Sequence, residues 1–541
     1  MKKLLLLSVS LLPILASAQG WQWGVGSSCK EGYFESAPIT VDKNGNTYEV
    51  GKYSFNFSPD SLISIFGTDT VLDSSGAGLQ SIIVSADSDG IYRWVLGVQY
   101  GDASFTSIKA DNYGNVYLVG SATGYFRLGA QSCSDSNFIV KINTAGNVVW
   151  IRSFTPAQFQ FKALCISSGG NIYVTGEFWR KTFTLDGNVM TNTDTSGTTE
   201  DVFYAGVDTS GAVLWARSFG GTSNDGVSDI AVTNDSTIYI AGIFGSDTMR
   251  IGSDLLLASP GNPMFYVATF RDKVAAKWAK TMRAYYDSYF SLNAITADDN
   301  DNLYVTGQYG NEFFFGADTL AMPITFGNPG SMFIVKYDSS GNEKWARSLA
   351  RFNTTTSGYS VATDACLVWV SAGLPFATYT DTMLLATYDT SGGIIDTIIL
   401  PAGGDDANAI VTDHRGNLYI GGDYYTPFQV GNNTLTLTDN PQEALFILKY
   451  RYEPSACASE AVVPLSKTTP NYTLFPNPTD AILTVSASEK IVSVSLMNAM
   501  GQAILNDQYN ATQVQVDVAN FPAGVYLVRI NGYEVRRFVK L

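Results

Sequence analysis

One short pattern returns seven times along this chain of 541 residues and limits its fold more than any other feature. Each copy has an apolar stretch, a turn whose full form reads Asp-x-x-Gly-Asn, and a second apolar stretch that carries an aromatic residue and ends in Gly. The copies are VDKNGNTYEVG (41–51), ADNYGNVYLVG (110–120), SSGGNIYVTG (167–176), TNDSTIYIAG (233–242), ADDNDNLYVTG (297–307), ATDACLVWVSAG (362–373) and TDHRGNLYIGG (412–422). Their aromatic residues lie 50 to 69 residues apart, at Tyr48, Tyr117, Tyr173, Tyr239, Tyr304, Trp369 and Tyr419. A period of this length predicts stacked or radially arranged repeats.

The turn within each copy predicts a β-hairpin. A short loop between two strands needs a residue at positive φ, which Gly adopts without a steric clash, and the flanking Asp and Asn can bond nearby backbone amides. In the fifth copy, Asp298, Asp299 and Asp301 also suggest a calcium site. Calcium takes about six to eight oxygen ligands, whereas the other copies offer only one or two carboxylates, so the plain hairpin is favoured.

A second motif alternates with the first and ends in a strand that contains Trp. Its clear copies are FIVKINTAGNVVWIRSF (138–154), FYAGVDTSGAVLWARSF (203–219), FYVATFRDKVAAKWAK (265–280) and FIVKYDSSGNEKWARSL (333–349), and weaker copies run over 82–94 and 384–400. Each period therefore contains four strands, A and B from the first motif and C and D from the second. A smaller signature lies between B and C, as in FRLGAQS (126–132), FFFGADTL (313–320) and FQVGNNTL (428–435). Seven units of four antiparallel strands predict an all-β, seven-bladed β-propeller.

The two ends of the repeat region predict how the ring closes. The seventh unit has strands A, B and C but no Trp strand, whereas the chain begins with an unpartnered Trp strand, GWQWGVG (20–26). We expect this strand to become strand D of the last blade, because closure removes open sheet edges. Six blades plus an irregular insertion are the alternative, since the sixth copy departs most from the pattern.

The extreme N-terminus predicts export from the cytoplasm. Residues 1–18 have the charged start, the apolar core and the small-residue end of a secretory signal peptide, with cleavage between Ala18 and Gln19. No later stretch is long enough for a transmembrane helix. The formal net charge of −16 argues against nucleic acid and anionic membranes as partners. Five cysteines are too few and too scattered for a disulfide scaffold, and none has metal-ligand spacing.

The ordered motifs resemble two known families. The combination of G-N-x-Y-x-x-G, F-x-V-K and G-x-x-x-W-A-R resembles the bacterial seven-bladed β-propeller repeat family, and it covers roughly residues 20–452. The resemblance implies a fold much more than an activity. The domains expected are a signal peptide (1–18), the propeller (19–452), a proline-containing linker (453–471) and a small β-sandwich (472–541).

The sandwich carries the second resemblance. The strings LFPNPTDAILTV, LMNAMGQAI and VDVANFPAGVYLVRI, followed by RRFVKL, resemble the type A C-terminal sorting domain of the type IX secretion system of Bacteroidetes. The resemblance implies a partner, the type IX secretion machinery, and a secreted or outer-surface location reached through the periplasm. The matching family positions are Pro476, Asn477, Pro478, Gly501, Gly524, Tyr526 and Lys540.

Catalytic residues are hard to find in this sequence. The single His, His414, lies at a position of the hairpin turn. We favour a solvated turn residue over a general base as its role. Asp102, Asp225, Asp287 and Asp405 recur before strand A, and backbone capping is favoured for them over the paired carboxylates of a glycosidase. No cofactor motif occurs. We therefore favour a binding or adhesion scaffold over an enzyme, and an extracellular carbohydrate-active enzyme is the alternative.

The distribution of loop lengths predicts which face of the propeller binds. The A–B and C–D turns are short and uniform, so the variation in blade length falls on the B–C and D–A connections at the opposite face, where repeat scaffolds usually carry function. Aromatic residues outside the repeated positions lie there: Trp179, Tyr285, Tyr286 and Tyr289. They are either local core or a platform for a glycan or a surface-protein ligand.

Overall fold

The computed structural model describes nineteen stretches of the chain, and every regular element in them is a β-strand. The described residues are 20–29, 33–54, 62–67, 69–73, 79–155, 158–258, 263–271, 275–284, 290–321, 330–349, 356–374, 382–400, 409–424, 426–431, 433–436, 444–452, 473–497, 503–530 and 534–541. The chain divides into two compact units, 1–458 and 459–541.

The first unit contains seven four-stranded antiparallel meanders, and we name the strands of each blade A to D. The A strands are Tyr33–Val41, Asp102–Ala110, Phe159–Ile166, Asp225–Val232, Ser291–Ala297, Ser357–Asp364 and Ala409–Thr412. The B strands are Thr47–Ser54, Val116–Leu128, Ile172–Phe178, Thr237–Phe244, Leu303–Tyr309, Leu367–Leu374 and Asn417–Tyr424. The C strands are Leu79–Ala86, Gln131–Ile142, Asp201–Val207, Met264–Arg271, Ser331–Tyr337, Thr382–Asp389 and Ala444–Arg451. The D strands are Tyr92–Gln99, Val148–Phe154, Val213–Gly221, Ala275–Ala284, Glu343–Ser348, Ile394–Leu400 and, for the seventh blade, Gly20–Gly26.

These meanders form a closed ring. Each A strand contacts the A strand of the next blade, and the A strand of the seventh blade contacts that of the first. The N-terminal strand Gly20–Gly26 pairs antiparallel with Ala444–Arg451, so the first residues of the ring complete its last sheet. The expected β-propeller, closed by an N-terminal strand, is confirmed. Its A strands surround the central channel.

The hairpin turns follow one hydrogen-bonding scheme. In the first blade, the backbone N–H groups of Asn44 and Asn46 donate to Asp42 Oδ1 at 2.8 and 3.0 Å, and the Asn46 side chain donates to Asp42 Oδ2 at 2.7 Å. Gly45 sits at φ 81° in the same turn. The scheme recurs at Asp111, Asp298 and Asp413 in A–B turns and at Asp338 in a C–D turn. Each turn Asp thus accepts hydrogen bonds from two backbone N–H groups that would otherwise be unpaired.

The sixth A–B hairpin closes differently. Its sequence lacks the Gly-Asn pair, yet Ser357–Asp364 pairs with Leu367–Leu374 through a tighter turn that leaves only two residues unpaired. Ala365 supplies the left-handed conformation there, at φ 52°. The hairpin therefore forms without the repeated turn sequence.

A contact between Trp and Gly ties each of five described blades to the next. The C–D turn Gly lies against the strand D Trp of the preceding blade, and an added Cβ would fall 2.6–3.0 Å from the ring. The pairs are Trp23–Gly90, Trp94–Gly146, Trp150–Gly211, Trp278–Gly341 and Trp345–Gly392. In four of them the indole N–H also donates to a carbonyl of that turn, at 2.8 to 3.3 Å. Gly is required twice over, for its positive φ and for the close approach.

Short hairpins lie between strands B and C and join neighbouring blades at the opposite end. Their strands are Leu62–Phe66 and Asp69–Asp73, Thr182–Leu185 and Asn188–Thr191, Thr248–Ile251 and Asp254–Leu257, Glu312–Phe315 and Asp318–Ala321, and Phe428–Val430 and Asn433–Leu435. In the second blade the hairpin continues strands B and C. A short strand, Ser28–Cys29, pairs with the first hairpin. The end of a D strand pairs with the hairpin of the next blade at Gln99 with Arg127, Gly220 with Arg250, and Arg283 with Phe314.

The hydrophobic core lies between adjacent blades. One cluster joins Tyr204 and Trp215 of the third blade to Ile240 and Tyr266 of the fourth, and all four side chains are buried. Burial of each large side chain contributes about 1.5–3 kcal/mol, and the repeated aromatic positions supply most of these contacts. The blades are therefore held face to face by the same residues that mark the repeat in the sequence.

The second unit is a small all-β domain. Its strands are Thr473–Phe475, Ile482–Met497, Ala503–Asp517, Gly524–Ile530 and Glu534–Lys540. The long strands Ile482–Met497 and Ala503–Asp517 pair with each other, and their register breaks between Ser486 and Ile491. The first half of Ile482–Met497 also pairs with Thr473–Phe475 and the second half with Gly524–Ile530, as expected for a β-sandwich.

Candidate functional site

In the second unit, the Pro-Asn-Pro segment is fastened to the C-terminal strand Glu534–Lys540. The Asn477 side chain donates to the Arg537 carbonyl at 3.1 Å and accepts from the Val539 N–H at 2.9 Å. Thr479 continues the attachment, because its N–H donates to the Val539 carbonyl and its carbonyl accepts from the Leu541 N–H. The peptide bonds before Pro476 and Pro478 are cis. Two motifs that are about sixty residues apart in the sequence therefore form one structural feature.

The other predicted sorting residues surround the same strand. Tyr526 stacks on Phe538 with ring centroids 5.5 Å apart, and its hydroxyl donates to the Pro522 carbonyl at 2.8 Å. Gly524 pairs with Lys540 across the last two strands, and Lys540 is buried. Gly501 lies outside the described residues. Arg536 and Arg537 are exposed on the last strand, so its basic character faces solvent.

In the propeller, we name two faces. The turn face carries the A–B and C–D turns, and the loop face carries the B–C and D–A connections. Trp179 lies on the loop face, is half-buried, and donates its backbone N–H to the Gln158 carbonyl at 3.2 Å. Tyr285, Tyr286 and Tyr289 lie outside the described residues, as do Ala18 and Gln19 at the predicted cleavage point. The proposed grouping of these aromatic residues stays a prediction.

The loop face presents an aromatic pair that the sequence patterns did not single out. Tyr100 and Tyr125 have ring centroids 6.5 Å apart, with an angle of 41° between their planes. Their side chains are 56% and 52% exposed, although most aromatic residues of the propeller are buried. Tyr100 belongs to the D–A connection after the first blade and Tyr125 to strand B of the second. The pairing of Gln99 with Arg127 between blades and of Asp102 with Thr123 within the second blade brings them together.

The central channel holds a cavity of about 240 Å³ where the A strands approach the turn face. Its polar lining includes Lys109, Asp229 and His414. Asp229 accepts from the Ile295 N–H of the next blade at 2.9 Å, and burial raises the pKa of its carboxyl. Burial likewise raises the pKa of the Cys165 thiol, which keeps it protonated and unreactive. One carboxylate that already accepts backbone hydrogen bonds does not make a hydrolytic pair.

Of the two recurring acids before strand A that the structure describes, Asp225 caps backbone donors. Asp225 is buried and accepts from the N–H groups of Gly221, Gly245 and Ser246 and from the Ser246 hydroxyl. Burial raises the pKa of its carboxyl to about 6. Asp102 is exposed and pairs with Thr123 across the strands, and Asp287 and Asp405 lie outside the described residues.

His414 lies in the A–B turn of the seventh blade and is 65% exposed. Its Nδ1 is 3.6 Å from Asp364 Oδ1 of the sixth blade, and the bond to this carboxylate raises the pKa of the imidazole. Burial raises the pKa of the Asp364 carboxyl, but the bonds from His414 and Tyr452 outweigh this and hold that pKa below its usual value. His414 therefore contributes to an ion pair between blades.

The turn carboxylates considered for calcium are already occupied by donors. Asp298 accepts from two backbone N–H groups, from the Asn302 side chain and from the Tyr304 hydroxyl. Asp299 accepts from the Asn234 side chain at 3.0 Å. In the described stretches, no group of three or more His, Cys, Asp or Glu residues has metal-binding geometry. The hairpin interpretation explains these residues without an ion.

Comparison with known proteins identifies the second unit. Residues 473–540 match the family model of the secretion system C-terminal sorting domain. An uncharacterized WD repeat-containing protein of Acanthamoeba polyphaga mimivirus is 25% identical over 410 residues, which cover 60% of this chain and 29% of the viral protein. The chain thus spans less than a third of that relative's length.

Solved structures with a similar arrangement are distant. PorZ, a surface component of the type IX secretion system of Porphyromonas gingivalis, is 11% identical with a TM-score of 0.30, and the match covers 94% of this chain and 81% of PorZ. A protein of unknown function from Dyadobacter fermentans is 11% identical with a TM-score of 0.36, covering 79% of this chain and 99% of that protein.

The sorting domain determines the destination of the chain. The protein carries a C-terminal sorting domain of the type IX secretion system and is exported as a secreted or cell-surface protein. Within the described ranges, no helix is long and apolar enough to cross a lipid bilayer.

Proposed function

We propose that the exported protein is a binding or adhesion protein whose β-propeller binds its ligand on the loop face. The observation that supports this function most is the difference between the two faces. On the turn face, side chains such as Asp42 and Asp298 already accept repeated hydrogen bonds within their own hairpins. On the loop face, connections differ from blade to blade and expose Tyr100 and Tyr125. A rigid ring with one variable face that carries an exposed aromatic pair is typical of a binding scaffold.

The sorting signal has a separate role in this proposal. The second unit directs export through the type IX machinery, and the sorting residues around strand Glu534–Lys540 form its signal. The propeller supplies the activity outside the cell. The linker expected at 453–471 would be the place where the two are separated after export.

An extracellular carbohydrate-active enzyme is the alternative. Glycoside hydrolysis needs two carboxyl groups roughly 5–10 Å apart around the bond that is cleaved. In the described lining of the channel cavity, Asp229 is the carboxylate, and it accepts from the Ile230 and Ile295 N–H groups. Its engagement favours binding over hydrolysis.

The test uses the exported protein and hydrogen–deuterium exchange. Candidate ligands are bacterial cells, extracellular-matrix proteins and soluble and insoluble polysaccharides, each assayed for co-sedimentation and for release of reducing sugar. We expect binding without product, together with ligand-dependent protection of loop-face peptides such as 118–133 and 244–258. Protection restricted to turn-face peptides such as 111–115 would contradict the proposal, and steady release of sugar would favour the enzyme.

A further inference from the structure

Backbone pairing positions the pair Tyr100–Tyr125 on the loop face. We propose that this pair is a carbohydrate-binding site that takes a neutral oligosaccharide, with the apolar faces of the sugar rings packed on the two Tyr rings. The inference rests on the proposed binding function and adds the site and the class of ligand. It goes beyond the sequence prediction, which placed the aromatic platform at Trp179 and the Tyr residues at 285, 286 and 289.

The backbone holds Tyr100 in place at an energetic cost. Tyr100 has φ 70°, a left-handed conformation that bulky residues rarely adopt. The next residue, Gly101, approaches the Tyr125 carbonyl so closely that an added Cβ would lie 2.3 Å from that oxygen. Val98 and Gln99 pair with Leu128 and Arg127 just before this point. The strained residue is thus an exposed aromatic one, and such strain is often found at functional sites.

Polar groups flank the rings on the exposed side. Arg127 lies two residues beyond Tyr125 and therefore projects from the same face of the strand, and Gln99 is its partner on the neighbouring strand. Asp102 follows Tyr100 by two residues, and all three side chains are exposed. The Arg127 Nε–H donates to the Gly129 carbonyl at 2.8 Å, which orients the guanidinium group along the strand. Amide, guanidinium and carboxylate groups beside aromatic rings can bond sugar hydroxyls while the rings take the C–H faces.

The size and charge of the site select the ligand. A Tyr side chain buries about 150–250 Å² in total, so two half-exposed rings offer about 200 Å². A stable protein partner needs about 800 Å² on each side, and the described neighbours of this pair are polar. The formal net charge of −16 disfavours polyanionic glycans. A short neutral glycan is the ligand whose size and chemistry agree with the site. Tyr suits this role because only two side-chain torsions are fixed on binding.

The experiment compares matched Tyr variants of the full exported protein. A glycan array identifies neutral oligosaccharides that bind, and isothermal titration with the best soluble oligosaccharide gives the affinity. The variants are Tyr125→Ala, Tyr125→Phe and Tyr100→Gly. Tyr113→Ala is the control, because Tyr113 is 78% exposed in the A–B turn of the same blade, on the turn face.

We expect Tyr125→Ala and Tyr100→Gly each to weaken binding by about tenfold or more, while Tyr113→Ala leaves it unchanged. Tyr125→Phe should bind nearly as well as the parent, because it keeps the ring. Gly adopts the left-handed conformation freely, so Tyr100→Gly should melt at or above the temperature of the parent, which separates lost binding from lost folding.

Two outcomes would overturn the inference. Either no neutral glycan binds, or glycans bind and the Tyr100 and Tyr125 variants retain full affinity. If the protein instead binds a matrix protein or a cell surface through other loop-face peptides, the proposed binding function stands and the carbohydrate site at this pair is wrong.

Discussion

At the scale of single residues, carboxylates in this propeller act as acceptors for backbone donors. Asp42 and Asp298 organise A–B turns, Asp225 caps a connection between blades, and Asp229 accepts from the neighbouring A strand. An acidic chain can thus place many Asp residues at recurring structural positions without forming a catalytic pair. Carboxylates that could suggest an enzyme in the sequence serve here as hydrogen-bond acceptors for backbone N–H groups at turns and strand ends.

The ion pair between His414 and Asp364 predicts a pH-dependent contribution to stability. The raised pKa of His414 means that its contribution is full below about pH 6.5 and is lost as pH rises through the folded-state pKa. The lowered pKa of Asp364 means that the contribution appears above about pH 4 and is lost as pH falls through the folded-state pKa. The ion pair therefore stabilises the folded protein mainly between about pH 4 and pH 6.5.

The test is His414→Asn, because Asn tolerates the φ of 55° found at this position. His414 is 65% exposed, so screening limits the expected loss to at most about 1 kcal/mol. Thermal melting should show the parent as the more stable protein at pH 5.5 and the two proteins as equal at pH 9. Parallel curves over the whole range would contradict the assignment.

At the scale of elements, the C–D turn of one blade is shaped to fit the Trp of the preceding one. Gly392 has φ 84°, and an added Cβ would lie 2.7 Å from the Trp345 ring, whose indole N–H donates to the Thr390 carbonyl at 3.0 Å. Arg347 donates to the Gly392 carbonyl at 2.7 Å and lies over the same ring, with its guanidinium carbon 5.5 Å from the centroid. The turn therefore serves both its own hairpin and the contact between blades.

Gly392→Ala should destabilise the propeller by more than a turn Gly without such a contact. Gly187 is the matched control, because its φ of 81° is similar and an added Cβ would meet nothing within 4 Å. Gly187→Ala should cost about 1 kcal/mol for the left-handed backbone, and Gly392→Ala about 1–3 kcal/mol more for the clash with Trp345. Chemical denaturation of both variants measures the difference, and equal losses would show that the Trp contact adds nothing.

The C-terminal strand of the sorting domain should depend on Asn477. Asn477→Ala removes two hydrogen bonds to the strand Glu534–Lys540, worth about 2 kcal/mol together, and should loosen that strand. Quantitative immunoblotting should find less protein outside the cell, and hydrogen exchange should be faster at 535–540. Asn520→Ala, in an exposed turn of the same domain, is the control. If exchange is faster but export equals that of the parent, the attachment of the strand by Asn477 is not part of the sorting signal.

Local patterns explain why much of the fold could be predicted from the sequence. The Asp-x-x-Gly-Asn turn and the alternating strands beside it depend on residues within about a dozen positions, and the unpartnered strand 20–26 showed where the ring closes. The contact between Gly392 and Trp345 depends on two blades packing together. The Tyr100–Tyr125 pair depends on two strand pairings, Gln99 with Arg127 and Asp102 with Thr123, and no periodicity in the sequence marks the two Tyr residues themselves. The sequence predicted the loop face as the binding face, which stays a prediction, and it did not single out these residues.

At the scale of the whole molecule, the first strand determines whether the ring is closed. Gly20–Gly26 supplies the outer strand of the last sheet, with Trp21 at 5.0 Å from Tyr450 and Trp23 at 6.1 Å from Tyr419, between ring centroids. The Trp23 indole N–H donates to the Ser88 carbonyl of the first blade at 2.8 Å, so this strand also makes the contact between the last blade and the first. The first strand of the chain thus completes the last blade and connects the two ends of the repeat region.

Deleting 20–26 should therefore cost several kcal/mol and expose the edge of Ala444–Arg451, which would promote aggregation. Thermal melting and light scattering of the deletion variant measure both effects. Because Gly20 pairs with Arg451, a rescue variant can place residues 20–26 after Tyr452 through a short Asn-Gly turn, so that strand D follows strand C directly. Restored melting in the rescue variant would show that the sheet needs this strand rather than an N-terminal location. A deletion variant that melts with the parent would mean that closure does not hold the ring together, and that the contacts between A strands alone suffice.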